Sequence, residues 1–178
     1  DQPNFIEDVM RFLDNVLTDF INRAPDSFKD AKYSAMRERS VGLGVMGLHS
    51  FLQKNSISLE SVMSKVWNKK IFNHIKGQVD KSSRDLAETK GACQDAEEYG
   101  IKERFSNKTA VAPTGSISII CGGASPWIEP IAANIFSHKT LAGTFTVRNS
   151  HLKRLLAEKG QDNDEVCVSI LNNRGSVQ

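Results

Sequence analysis

The sequence is poor in the features that would narrow its class quickly. Its three cysteines, Cys93, Cys121 and Cys167, are odd in number and widely separated. That argues against a disulfide framework and fits a reducing compartment, with the cytoplasm as the expected location. No apolar run approaches the roughly 20 residues that a bilayer-spanning helix needs, and the N-terminus lacks the basic-then-apolar layout of a signal peptide, so no membrane partner is expected. Neither charge sign dominates: 23 Lys and Arg face 21 Asp and Glu, a formal net charge of +2. No basic stripe tracks a nucleic-acid backbone, so no nucleic-acid partner is expected. Repeats and low-complexity tracts are absent as well. The four histidines, His49, His74, His138 and His151, show no H-x-x-x-H or H-E-x-x-H spacing, and no cysteine has a C-x-x-C neighbour. No metal site is expected.

What remains is an ordinary globular composition, 178 residues with 39% hydrophobic, enough for one domain with a core. Pro3 suits a first helical turn, and Phe5, Val9, Leu13, Val16 and Phe20 recur at helical spacing before Pro25. Residues 26–39 read as a loop and a short helix. In "SVGLGVMGLHSFLQK" the glycines Gly42, Gly44 and Gly47 interrupt Val41, Leu43, Val45 and Leu48, which reads as a short buried strand running into a helix. The glycines satisfy a bare G-x-G-x-x-G, but no acidic residue follows a second strand about 20 residues on, so the preferred reading is close backbone packing and not a dinucleotide site. A long helix is predicted from Ser58 to a stop at Gly91, with Gly77 a weak point, followed by irregular chain over 91–108. A β-branched run over 110–120 then reads as an interrupted strand, 131–139 as a short helix and 143–147 as a strand. Residues 151–160 and 163–172 read as helices. The alternation of helices with strands predicts an α/β fold.

One stretch invites chemistry. In "AVAPTGSISIICGG" the strand-like run is broken by a small, hydroxyl-rich turn. The N–H groups of Gly115 and Ser116 and the hydroxyls of Thr114, Ser116 and Ser118 are the donors an anion such as a phosphate needs. Glu129, between Ile128 and Pro130, reads either as a structural anchor or as a site carboxylate, since a carboxylate in an apolar loop is costly unless paired. Trp127 reads as core, and the cysteines as structural or incidental thiols.

Six segments in order, "FIEDVMRFLDNVL", "RERSVGLGVMGLHSFLQ", "APTGSIS", "ASPWIEPIAANIF", "LAGTFTVRNSHLKRLL" and "NNRGSVQ", resemble the large catalytic subunit of ribonucleotide reductase. The resemblance runs over essentially the whole chain. It implies that residues 1–178 are a single piece of a ten-stranded α/β barrel whose P-T-x-S loop holds the substrate's phosphates. By position it assigns Thr114, Gly115, Ser116 and Ile117 to that loop, with Pro113 and Ser118 at its edges, Ile117 through its backbone alone. The family's thiyl radical forms in an Asn-x-Cys-x-Glu loop, and none of the three cysteines here has an Asn two residues before it. The reducing cysteine pair, the allosteric domain and the radical-path tyrosines are likewise not found. The implied role is therefore a fragment that binds a ribonucleoside diphosphate, has no catalytic residue of its own and is inactive alone. The alternative is a standalone barrel-derived domain that binds nucleotides or partner chains without radical chemistry. No cofactor is expected on this piece. The later segments point to a parent enzyme whose radical comes from a diiron-type small subunit, while "APTGSIS" resembles adenosylcobalamin-dependent enzymes. Expected partners are the remainder of the large subunit, the radical-generating small subunit and, through unpaired strands, other copies of the chain.

Overall fold

The structure, a computed structural model, describes residues 4–141 and 143–177; the expected role of Pro3 lies outside them. In chain order the elements are α1 (Phe5–Arg23), a 3-10 turn (Asp26–Phe28), α2 (Lys29–Glu38), α3 (Leu48–Lys54), α4 (Val62–Lys90), α5 (Gln94–Glu98), α6 (Gly115–Ile120), β1 (Ile135–Thr140), β2 (Gly143–Arg148), α7 (Ser150–Glu158) and α8 (Asp164–Asn172). The chain divides into two compact units, one made of residues 1–45 and 65–112, the other of 46–64 and 113–178.

In the first unit, α1 and α4 build a core from Met10, Val79, Leu86 and Phe105, flanked by Ile6, Leu13, Val41, Leu43 and Ile75. The buried face of α1 therefore runs through Ile6, Met10 and Leu13, whereas Phe5 and Val16 of the predicted stripe are 60% and 50% exposed. The reason is Asp14, which is wholly buried on the inward face. Arg39 ends α2 in the left-handed conformation, at φ +45°. Its guanidinium donates to Asp14 Oδ1 at 2.7 and 3.1 Å, Arg104 Nε donates to the same oxygen at 2.8 Å, and Lys90 Nζ reaches Oδ2 at 2.9 Å. Burial by itself would raise the Asp14 pKa; hydrogen bonds from Arg104, Lys90 and Arg39, with the charge of Arg39, outweigh it and bring the group to about 2.

The glycine-rich segment makes a brief parallel pairing in place of a full strand. Val41 and Leu43 N–H donate to Asn107 and Lys108 carbonyls, and Ala110 N–H returns to Leu43 O at 3.1 Å. A Cβ on Gly42 would stand 2.9 Å from Ala110 Cβ, and one on Gly44 would stand 2.5 Å from the Ala110 carbonyl oxygen. Close backbone approach is thus what these glycines are for. Gly77 leaves α4 unbroken.

In the second unit, β1 and β2 form an antiparallel hairpin, Ile135 opposite Arg148 and His138 opposite Phe145. The buried Ile135 meets Cys167 and Ile170 of α8, with Leu152 and Leu156 of α7 around them. Asn149 and Asn163 cap α7 and α8, accepting from the N–H groups of His151 and Val166 at 3.0 and 2.9 Å.

Three expectations are corrected. Ile135–Thr140, which overlaps the helix predicted over 131–139, is a strand, because it pairs along the whole of β2. Gly115–Ile120, inside the predicted strand, is a helix, closed by Ser118 N–H on Thr114 O at 2.8 Å; its isoleucines Ile117, Ile119 and Ile120 stay 54–84% exposed instead of filling a sheet core. Helices also do not alternate with strands throughout. Among the described residues the sheet structure is one hairpin and one isolated bridge, so the architecture is mixed helix and strand and the ten-stranded barrel is not visible. A barrel strand needs a bonded neighbour on each edge, and among the described residues the backbone pairing of the extended segments at 41–43 and 107–110 runs from one to the other.

Candidate anion site at the Pro113–Ser118 loop

The loop that drew attention in the sequence stays contiguous and open in the second unit. Pro113, Gly115, Ser116 and Ile117 are exposed and Thr114 is half-buried. Since the first helical bond of α6 comes from Ser118 N–H, the N–H groups of Gly115, Ser116 and Ile117 precede the ladder and have no acceptor within the helix. A Cβ built on Gly115 meets nothing within 4 Å, so the space above the loop is free. Ser118 differs from the others. It is 3% exposed, and its hydroxyl donates to Gly115 O at 2.8 Å, so it shapes the turn from inside and is not one of its open hydroxyls.

The Thr114 hydroxyl has a partner that the sequence did not suggest. Its oxygen accepts the backbone N–H of Trp127 at 2.8 Å, and its own proton stays available for donation. Trp127 is half-buried, in the left-handed region at φ +49°, and its indole Nε1 is buried without a partner. Glu129 is exposed, so burial places no demand on its carboxylate. Cys121, just after α6, is exposed, while Cys93 and Cys167 are buried, Cys167 in the core beneath the hairpin. His49 Nδ1 accepts the Ile131 N–H at 3.3 Å; burial first, and then the nearby charge of His151, lower its pKa. Among the described residues no three His, Cys, Asp or Glu side chains gather in a way that could hold a metal ion, and no helix is long and apolar enough to cross a membrane.

The arrangement offers donors to an anion: N–H groups and two hydroxyls. The family model of the ribonucleotide reductase barrel domain matches residues 3–100 and 92–178. The chain belongs to the ribonucleotide reductase barrel-domain family. A ribonucleoside-diphosphate reductase large subunit from Invertebrate iridescent virus 3 is 43% identical over 177 residues, which is 98% of this chain and 28% of that protein. A vitamin B12-dependent ribonucleoside-diphosphate reductase from Thermoplasma acidophilum is 38% identical over 138 residues, 75% of this chain and 17% of that protein. The solved class Id ribonucleotide reductase alpha subunit of Actinobacillus ureae superposes with a TM-score of 0.86 at 35% identity, covering 99% of this chain and 32% of that one. The chain thus spans less than a third of the length of the curated reductases it matches. The described residues mix helix and strand, and the hydroxyl-rich loop lies in the second unit.

Proposed function

We propose that this chain is one piece of the catalytic barrel of a ribonucleoside-diphosphate reductase large subunit and that its Pro113–Ser118 loop binds the substrate's phosphates. The observation that carries the reading is the open loop itself: unbonded N–H groups at Gly115, Ser116 and Ile117, with the Thr114 and Ser116 hydroxyls beside them, in a chain of this family. A diphosphate would accept from these donors, with Pro113 restricting the approach of the backbone and Ser118 holding the turn from below.

The chain's own part is binding and orientation. Hydrogen abstraction from a ribose needs a thiyl radical and a dithiol reductant held within about half an ångström of their working geometry. The Asn-x-Cys-x-Glu pattern that would hold the radical is not in this sequence. We assign that chemistry to the remainder of the large subunit, with the radical supplied by a diiron-type small subunit. Adenosylcobalamin is the alternative, since relatives of both kinds match. Supporting a fit to further chain, Phe136, Phe145 and Val147 lie on one face of the hairpin at 38–53% exposure. That face also favours self-association of the isolated chain in its cytoplasmic setting.

The test is titration of the isotope-labelled chain with a ribonucleoside diphosphate. Amide signals of Thr114–Ile117 should move, and incubation with a dithiol and either radical source should yield no deoxynucleotide. Movement of other amides with none in the loop would overturn the phosphate assignment. Turnover abolished by Cys121→Ser would overturn the binding-only role. A monomer that does not self-associate would instead favour a standalone domain.

A further inference from the structure

The segment from Ser125 to Ile131 is held at both ends by the N-terminal part of α3. Ser125 is fully buried, and its carbonyl accepts the Gly47 N–H at 2.8 Å. Two serines then exchange hydrogen bonds: Ser50 N–H donates to Ser125 Oγ at 3.1 Å, and Ser125 N–H donates to Ser50 Oγ at 2.8 Å. At the far end Ile131 N–H donates to His49 Nδ1. Between these anchors Trp127 occupies the left-handed region, which a bulky side chain adopts only where its surroundings over-determine it. Its N–H is thereby aimed at Thr114 Oγ1.

A hydroxyl carries one proton, and an oxygen that accepts from one side turns that proton away from the donor. Thr114 is therefore set as a donor, which is the only sense an anion can use. The contrast lies four residues on, where the Ser118 hydroxyl, with no such acceptor duty described, spends its proton on the Gly115 carbonyl.

We infer that Ser50, Ser125 and Trp127 are positioning residues that fix the Thr114 hydroxyl as a donor to the substrate phosphate, a role that rests on reading Pro113–Ser118 as the phosphate loop. None of the three touches the anion. They remove the rotational freedom of the Thr114 side chain before the ligand arrives, so binding does not have to supply that ordering.

The experiment titrates the chain with inorganic pyrophosphate, followed by calorimetry and amide shifts. Thr114→Val should weaken binding about tenfold or more, the usual effect of losing a hydrogen bond to a charged group. Ser50→Ala should weaken it about threefold to tenfold in the wild-type background and not at all on top of Thr114→Val, because residues acting through one group are non-additive. Ser50→Thr, which keeps the acceptor oxygen, should restore affinity. In the wild type, the Trp127 amide should already resist hydrogen exchange before pyrophosphate is added. An equal loss from Ser50→Ala in both backgrounds, or a Trp127 amide protected only after pyrophosphate binds, would overturn the positioning role while leaving the phosphate loop standing. Unchanged affinity in Thr114→Val would instead overturn the phosphate reading, and the positioning role with it. The exchange measurement needs no variant, so a Ser50→Ala chain that fails to fold does not shelter the inference.

Discussion

Asp14→Asn is the perturbation whose size the structure lets us work out. The carboxylate is wholly buried and receives Arg39, Arg104 and Lys90 at 2.7–2.9 Å, with the two arginines only 7% and 8% exposed. An asparagine of the same shape leaves those guanidiniums without a counter-charge, and breaking a buried pair from one side costs about 3–5 kcal/mol. The pH dependence has a definite sign. Because the folded-state pKa is depressed to about 2 from 3.8, the ionised carboxylate's contribution is fully present above the ordinary value and is lost as pH falls from there through about 2. That shift corresponds to roughly 2 kcal/mol. Urea unfolding of wild type and Asp14→Asn, run from pH 6 to the acid limit of the folded state, should therefore show a stability gap that is constant at high pH and narrows below about pH 4. Comparing the two chains cancels the other carboxylates that titrate in the same range, such as Asp80, whose pKa is lowered chiefly by its hydrogen bonds with Lys76 and Lys108. A gap below about 1 kcal/mol at pH 6, or one that does not narrow in acid, would refute the view that this ion cluster organises the first unit.

Gly44→Val should cost about 1–3 kcal/mol in thermal or urea unfolding, because its Cβ would meet backbone at Ala110 that cannot yield as a side chain can. Gly115→Val, with open space at its Cβ, should leave the melting temperature within a few degrees of wild type while abolishing pyrophosphate binding in calorimetry. His49, whose pKa is lowered by burial and by His151, binds a proton less readily folded than unfolded, so stability should fall as pH drops below its ordinary 6.5; His49→Gln should flatten that part of the pH profile. A thiol reagent should modify Cys121 at once, with Cys93 and Cys167 reacting only as the chain unfolds, which mass spectrometry of the labelled peptides would show.

The helices were largely legible because each carries its own period or punctuation. α1 and α4 follow the 3.6-residue repeat, Gly91 and Gly160 sit just past helix ends at φ +87° and +68°, and Asn149 and Asn163 are local caps. The packing role of the glycines at 42 and 44 is legible in the sequence, since a residue without a Cβ in an apolar run points to a close backbone neighbour. Ile135–Thr140 reads as helix in the sequence because its six residues, IFSHKT, carry only two apolar side chains and no clear period, and the partner that makes it a strand, β2, lies beyond it in the chain.

Residue types alone determined that the Pro113–Ser118 stretch is rich in donors and that six ordered segments share the character of one enzyme family. Both follow from what each residue can offer and in what order. Tertiary structure decided how those donors face. Ser118 turns inward, Thr114 is engaged by the backbone of a residue 13 positions away, and Asp14, which looks like one more solvent-facing charge on α1, becomes the buried centre of three cations drawn from up to 90 residues away. Such pairings are set by loop closure and packing, in which a residue's partner is whatever the fold brings within about 3 Å, and no period or local motif in the chain encodes that distance.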